Sequence, residues 1–226
     1  MGKIDHFKRM GLPPFTWEEE RASFYTHAPA AVAAAFCTIG LFISCLFKGD
    51  ILFTAATTTY GLTLILTLTS SAYYHWLPPS DKKRLMRLID HLCIYLLIAG
   101  SYTPFALGNL RYKSGWLIFG LIWLIAAIGW GVKIAVLEYY EKYERIDPLI
   151  YTAMGFLAVF FLADINTAIH ENGIFWLKAG GFFYISGIIF YNWQSLRHHH
   201  AIWHLFVIAG AFSHFWAVYK YALPPK

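Results

Sequence analysis

The sequence predicts an all-α fold, a bundle of seven transmembrane helices. Two observations carry that reading. Hydrophobic residues make up 58% of the 226 residues and charged residues only 14%, with a mean hydropathy of +0.48, which is too apolar for a soluble domain of this length. Seven apolar runs of helix length alternate with short polar segments, and no stretch shows the period-two alternation of a strand. No Gly/Ser/Pro-rich linker or internal repeat divides the chain, so residues 1–226 are expected to form a single integral-membrane domain. The net charge of +5 sits at the ends of the apolar runs, a distribution that marks topology and gives no nucleic-acid surface. Cys37, Cys45 and Cys93 lie inside apolar runs without CxxC spacing and read as packing residues.

Each helix has its own justification. Residues 1–22 are polar and mixed in charge, with Pro13-Pro14 and Glu18-Glu19-Glu20, and lack the apolar core of a secretory signal. The first helix is expected over about 25–47, with Pro29 in its opening turn, where a missing N–H costs nothing. The second, about 51–77, carries no charge, is long enough to cross ~30 Å of hydrocarbon and is stopped by Pro78-Pro79. Within it Thr59, Thr63, Thr67, Ser71 and His75 recur every four positions and form one stripe that should face the protein interior. The threonine hydroxyls are expected to bond carbonyls one turn back. A basic loop, Lys82-Lys83-Arg84 with Arg87, leads into the third helix, about 88–110, which opens with Asp90-His91. An aspartate inside a span costs at least ~2.5 kcal/mol near the bilayer centre and is usually paired or functional. Pro104 should kink this helix, with Ser101 and Thr103 nearby to satisfy the freed carbonyl. The fourth helix, about 115–132, ends in Lys133, which is expected to snorkel to the headgroups. After a charged loop over 138–145, Asp147-Pro148 reads as an N-cap followed by proline at the first position of the fifth helix, about 148–165. The sixth covers about 174–194 and the seventh about 199–219.

Placing the N-terminus in the cytoplasm and the C-terminus outside divides the 18 basic residues 12 to 6 in favour of the inside. The inner group is Lys3, Lys8, Arg9, Arg21, Lys82, Lys83, Arg84, Arg87, Lys133, Lys142, Arg145 and Arg197; Lys48, Arg111, Lys113, Lys178, Lys220 and Lys226 fall outside.

His200 and His204 are four residues apart, so on a helix their rings lie one above the other within reach of one metal ion. Helix direction supplies the rest. The second helix ends at His75, while the third and seventh begin near Asp90 and His200, so all three positions fall at the same end of the bundle. His75, His200 and His204 can form a three-histidine site with a fourth tetrahedral position open for water. Ser71, one turn deeper than His75, and Asp90 across from it can hydrogen-bond that water or hold a ring in the required tautomer.

This combination, Ser71-x3-His75, Asp90 early in the following helix and His200-x3-His204 opening the last, resembles the hemolysin III proteins. They group with the progestin and adiponectin receptors and, more distantly, the alkaline ceramidases. The resemblance covers nearly the whole chain, and His200-Ala-Ile-Trp-His204-Leu-Phe-Val is close to that family's last-helix pattern. It implies zinc on His75, His200 and His204, with Ser71 and Asp90 beside it. The short stretches before the first helix and after the last resemble the bacterial form, which implies a bacterial inner membrane.

The ceramidase likeness implies a metal-dependent hydrolase of lipid amides or esters, with Asp90 and Ser71 as catalytic residues and membrane lipids as partners. In that chemistry zinc lowers the pKa of its water toward ~7 and polarises the substrate carbonyl. Two alternatives stand beside it. One is a non-catalytic receptor or homeostasis protein in which zinc staples the second, third and seventh helices. The other, weaker, is a cytolytic pore, suggested by the family name alone; continuous apolar spans without a charged ring argue against a constitutive channel. Three imidazoles and an open position suit zinc, although the same ligands accept copper, iron or nickel.

The remaining histidines are expected to lie outside the metal site. His214 is roughly 15 Å further along the last helix than His204 at 1.5 Å per residue. His27 and His170 read as packing residues, although His27, at the depth of the site, could instead donate a hydrogen bond in support of it. His91 is turned about 100° from Asp90, and His198 and His199 read as solvated loop residues.

Overall fold

Thr16 opens the first helix with a capping box: its hydroxyl accepts the Glu19 N–H at 3.3 Å, and the Glu19 carboxylate accepts the Thr16 N–H at 2.9 Å. The computed structural model describes residues 11–135 and 146–224. Among these, seven helical segments are long and apolar enough to cross a membrane, and no strand occurs. They are α1 (Trp17–Leu46), α2 (Ile51–Trp76), α3 (Asp81–Leu107), α4 (Gly115–Ala135), α5 (Asp147–Ala168), α6 (Glu171–Asn192) and α7 (His199–Tyr221). The chain is a multi-pass integral membrane protein. Its large apolar side chains such as Phe36, Leu117 and Phe182 are exposed on the outside, as a bundle bathed in lipid requires.

Two helices begin well before the expected positions, and the site depends on both. The capping box starts α1 at Trp17 in place of 25, so the acidic residues Glu18–Glu20 form its first turn, where they complement the helix dipole. Ser80 caps α3, accepting the Lys83 N–H at 3.2 Å, so the expected basic loop Lys82–Arg87 is helical. Helical geometry turns Lys83 and Arg87 inward, and both are buried. Asp50 caps α2 through its Phe53 N–H at 2.8 Å, close to the expected start.

Two further expectations change. Lys133 does not snorkel: it is buried and forms an ion pair with Asp147. That contact takes the Asp147 side chain, so Asp147 is the first residue of α5 and Ile146 occupies the cap position without a side-chain hydrogen bond. The loop over 138–145 lies outside the described residues, as do Lys3, Lys8, Arg9, Lys142, Arg145 and Lys226 of the charge count. Helix α3 runs unbroken through Pro104 to Leu107, and Ser101 and Thr103 bond the carbonyls of Ile98 and Ala99 at 2.8 and 2.9 Å.

The helices pack in chain order, α1 on α2, α2 on α3, α3 on α4 and α6 on α7, and α7 returns to α1. In lipid, close packing between helices replaces the hydrophobic effect as the driving force, and small residues allow it. Gly100 of α3 accepts Thr63 of α2 so closely that a Cβ would lie 2.2 Å from the Thr63 hydroxyl oxygen. The threonine stripe on α2 behaves as expected, Thr63 and Thr67 bonding the carbonyls of Tyr60 and Thr63 at 2.8 Å each. Thr67 also reaches the Cys93 carbonyl of α3 at 3.1 Å, which joins the two helices.

Helix α5 changes to a 3-10 turn over Phe156–Phe161. Tyr102 of α3 supports the change, its hydroxyl donating to the Gly155 carbonyl at 2.6 Å and accepting the Ala158 N–H at 3.1 Å. At the end of the bundle away from His75, Asn109 gathers three segments: its amide donates to the Ala168 and Tyr221 carbonyls, and its oxygen accepts the Leu223 N–H. The other end, where α2 finishes and α1, α3 and α7 begin, holds His75, His200 and His204.

Candidate metal centre

His75 comes from the last turn of α2, and His200 and His204 come from the first turns of α7. The three are buried, and one ring nitrogen from each lies within 4.8 Å of the other two. The Nε2 atoms of all three are buried without a hydrogen-bond partner. An unsatisfied buried polar atom costs about 1–3 kcal/mol. On three rings that come together in this way, such atoms make a donor set suited to a metal ion, which tetrahedral imidazole sites hold at ~2.0–2.1 Å from each nitrogen.

On two of the three rings, His75 and His204, the other nitrogen is held by the protein. Glu20 of α1 lies 2.7 Å from Nδ1 of His75 and binds Lys83 through its other oxygen at 2.9 Å. Lys83 uses its two remaining protons on the carbonyls of Tyr74 and Leu77, both at 3.0 Å, so all three of its donors are spent. The carboxylate takes the Nδ1 proton of His75 as a hydrogen bond, which fixes the tautomer that leaves the Nε2 lone pair free for an ion. Nδ1 of His204 lies 3.2 Å from the Ser23 carbonyl and 2.9 Å from the Thr26 hydroxyl, both on α1. The hydroxyl itself donates to the Ser23 carbonyl at 2.6 Å. Helix α1 therefore orients ligands from both α2 and α7.

Asp90 is 6% exposed and Ser71 2%. Ser71 and His75 of α2 and His91 of α3 all lie close enough to the Asp90 carboxylate to interact with it electrostatically. A cavity of about 610 Å³ reaches this cluster, meeting Asp90 and His91 of α3 on one side and His200 and Trp203 of α7 on the other. His75 and His204 do not line it, so the cavity meets the histidine cluster through His200 alone. The segment over 11–15 forms part of the cavity wall. Arg87 donates to the Gly11 carbonyl, and the Phe15 ring centroid lies 6.5, 5.7 and 5.0 Å from those of His75, His199 and His200. Arg197 pairs with Glu18, and the His198 N–H reaches Glu19 at 3.3 Å, which ties the start of α7 to that of α1.

The structure therefore brings together His75, His200, His204, Ser71 and Asp90, and it places the other histidines individually. His214 bonds the Leu177 carbonyl at 3.1 Å, far from the cluster. His170 is an exposed cap of α6, accepting the Asn172 N–H at 3.1 Å. His91 faces the Arg87 carbonyl at 2.8 Å and lines the cavity. His199 is a correction: it is the first residue of α7, buried, and bonds the Phe190 carbonyl at 3.1 Å. His198 precedes it in the left-handed region with φ 59°.

Sequence reasoning missed Glu20, Lys83, Thr26 and Phe15. For Glu20 a signal was present, because Thr16-x-x-Glu19 is a capping sequence, and it sets Glu20, Ser23 and His27 at i, i+3 and i+7 on one helix face. No comparable signal marked Phe15.

A family profile described as Haemolysin-III related matches residues 15–215. This chain belongs to the haemolysin-III-related family. It is 35% identical to Hemolysin-3 of Bacillus cereus over 207 residues, 92% of this chain and 93% of that protein. It is 31% identical to the Hemolysin-3 homolog of Bacillus subtilis (strain 168) over 209 residues, 92% and 97% of the two chains. Monocyte to macrophage differentiation factor of Homo sapiens is 32% identical over 218 residues, 91% of this chain and 85% of that one. The matched region of this haemolysin-III-related protein contains Phe15, Glu20 and every residue of the histidine cluster.

Proposed function

We propose that this protein is a zinc-dependent hydrolase of lipid amides or esters. The observation that carries the reading is the cluster of three buried histidines, each with an unpartnered Nε2, beside an aspartate that lines a large cavity. His75, His200 and His204 would hold the ion. When bound, zinc supplies Lewis acidity, lowering the pKa of water toward ~7 and polarising a carbonyl. Asp90 accepts a proton from the attacking water at its carboxylate and returns it to the departing amine nitrogen or alcohol oxygen as the carbonyl–heteroatom bond breaks. Ser71 holds that carboxylate in place. The cavity between α3 and α7 accommodates the substrate, with Trp203 and Ile94 offering apolar surface to an acyl chain. Residues 11–15 restrict water at the cluster. The reading places the protein in a bacterial inner membrane, with the cluster at the cytoplasmic face.

Elemental analysis and a lipid-release assay on one preparation test it. The parent should contain zinc and release fatty acid from a panel of ceramides and acyl amides. His75→Ala and His200→Ala should lose the metal, while Asp90→Ala should keep the metal and lose release. Unchanged metal content in both histidine variants would refute the assignment.

A second reading has its own support. The three ligands join two helices, α2 and α7, that are far apart in sequence, which is the arrangement of a structural staple in a non-catalytic membrane protein. Under it, metal removal lowers thermal stability and no preparation releases fatty acid. Dye leakage from liposomes carrying the parent and the ligand variants tests the cytolytic alternative.

A further inference from the structure

His27 is the one histidine near the cluster whose role the metal reading leaves open. It is 2% exposed, and neither ring nitrogen has a hydrogen-bond partner. Its ring stacks on His204 with centroids 3.6 Å apart and planes within 9°, and it lies within electrostatic range of His75 and His200 as well.

Packing alone does not account for this arrangement. Two buried nitrogens left without partners are destabilising, and a phenyl ring would cover the face of His204 without that penalty. Direct ligation does not account for it either. The set of mutually close ligand atoms comprises His75, His200 and His204 and omits His27. An imidazole binds an ion along a lone pair in its own ring plane. Because the two rings are nearly parallel and 3.6 Å apart, an ion in the plane of His204 lies off the plane of His27. His27 therefore sits beside the coordination sphere with one donor and one acceptor unused, as a neutral imidazole has.

We propose that His27 hydrogen-bonds the small oxygen ligand that fills the open position of the metal centre: water, or a carboxylate or hydroxamate oxygen. The proposal rests on metal binding by the three histidines and is independent of lipid turnover. It assigns α1 a direct part in ligand binding in addition to its orientation of His75 and His204. The Thr26 hydroxyl and Ser23 carbonyl that position His204 lie on the same two turns of α1, so the ring that binds the ion and the ring that contacts its ligand are set by one helix.

Cobalt-loaded protein in detergent provides the test, with visible absorption following a titration with acetohydroxamate. His27→Phe should bind the same amount of cobalt as the parent and bind acetohydroxamate about tenfold more weakly, the loss of one hydrogen bond. His27→Gln, which keeps a donor and an acceptor, should recover part of that affinity. If His27→Phe retains cobalt and binds acetohydroxamate as tightly as the parent, His27 is a packing plate and the proposal is wrong. If His27→Phe folds but loses cobalt, His27 belongs to the ligand set and the proposal is equally overturned. Should His27→Phe fail to fold, His27→Leu is read by the same criteria. A parent that takes up no cobalt would instead sink the metal reading itself.

Discussion

Glu20 of α1 and His75 of α2 are joined by a 2.7 Å hydrogen bond between a carboxylate oxygen and Nδ1, and the other carboxylate oxygen is fixed by the buried ammonium of Lys83. A carboxylate behind an imidazole ligand raises its basicity and holds its ring plane.

Removing Glu20 should therefore weaken metal binding without removing a ligand. Glu20→Ala is expected to lower zinc affinity roughly 10- to 100-fold, the range for such supporting partners, with Glu20→Gln falling between it and the parent. Competition with a chromophoric chelator measures the affinity. Identical competition curves for Glu20→Ala and parent would show that the contact does not tune His75.

Phe15 covers the cluster from the end of the bundle, its ring 5.0 Å from that of His200. Phe15→Ala should leave equilibrium metal content intact and speed the loss of zinc to an excess of chelator several-fold. Stopped-flow release measures the rate. An unchanged rate would mean that chelator reaches the metal by another path.

Gly180 of α6 faces His214 of α7 so closely that a Cβ would lie 2.1 Å from Cδ2 of the imidazole and 3.1 Å from the Gly210 carbonyl. His214 cannot swing away freely, because Nε2 is bonded to the Leu177 carbonyl. Gly180→Ala should destabilise the α6–α7 pair by about 1–3 kcal/mol, as overpacking does. Thermal unfolding in detergent reads this as a lower Tm. Combining it with His214→Ala should cost less than the sum of the two changes, because the second makes room for the first.

Asp50 and Arg111 form a two-point ion pair at 2.7 and 2.9 Å. The Arg111 hydrogen bonds hold the Asp50 carboxyl below the usual carboxylate range. A depressed folded pKa contributes stability above the unfolded value of about 3.9 and loses it as pH falls through the folded value. Asp50→Asn keeps an acceptor for the Phe53 N–H that caps α2 and removes the charge. It should therefore be less stable than the parent at pH 7, by at most about 1 kcal/mol for a pair this accessible. The gap should close as pH drops below about 4. A gap independent of pH would assign the loss to the cap and not to the ion pair.

The sequence alone determined that seven helices cross the membrane, because spans of about 20 apolar residues have no other stable form in hydrocarbon. It also determined that His75 and His200/His204 share one end, since consecutive helices alternate in direction and a residue at the end of α2 must lie level with those at the start of α7. The intervals of α2, α4 and α7 followed from apolar runs and prolines. Only the tertiary structure decided what surrounds the ligands. Glu18–Glu20 and Lys82–Arg87 read as polar segments outside the helices because charge marks the end of an apolar run, yet capping by Thr16 and Ser80 winds them into helix and turns one face of each inward. Burial of Lys83 is tolerable only because Glu20, Tyr74 and Leu77 meet all three of its protons, and that condition involves two other helices. Likewise, the parallel stack of His27 on His204 depends on how α1 rotates against α7. Periodicity along one helix gives the face a residue occupies; the partner that face meets is set by packing between helices.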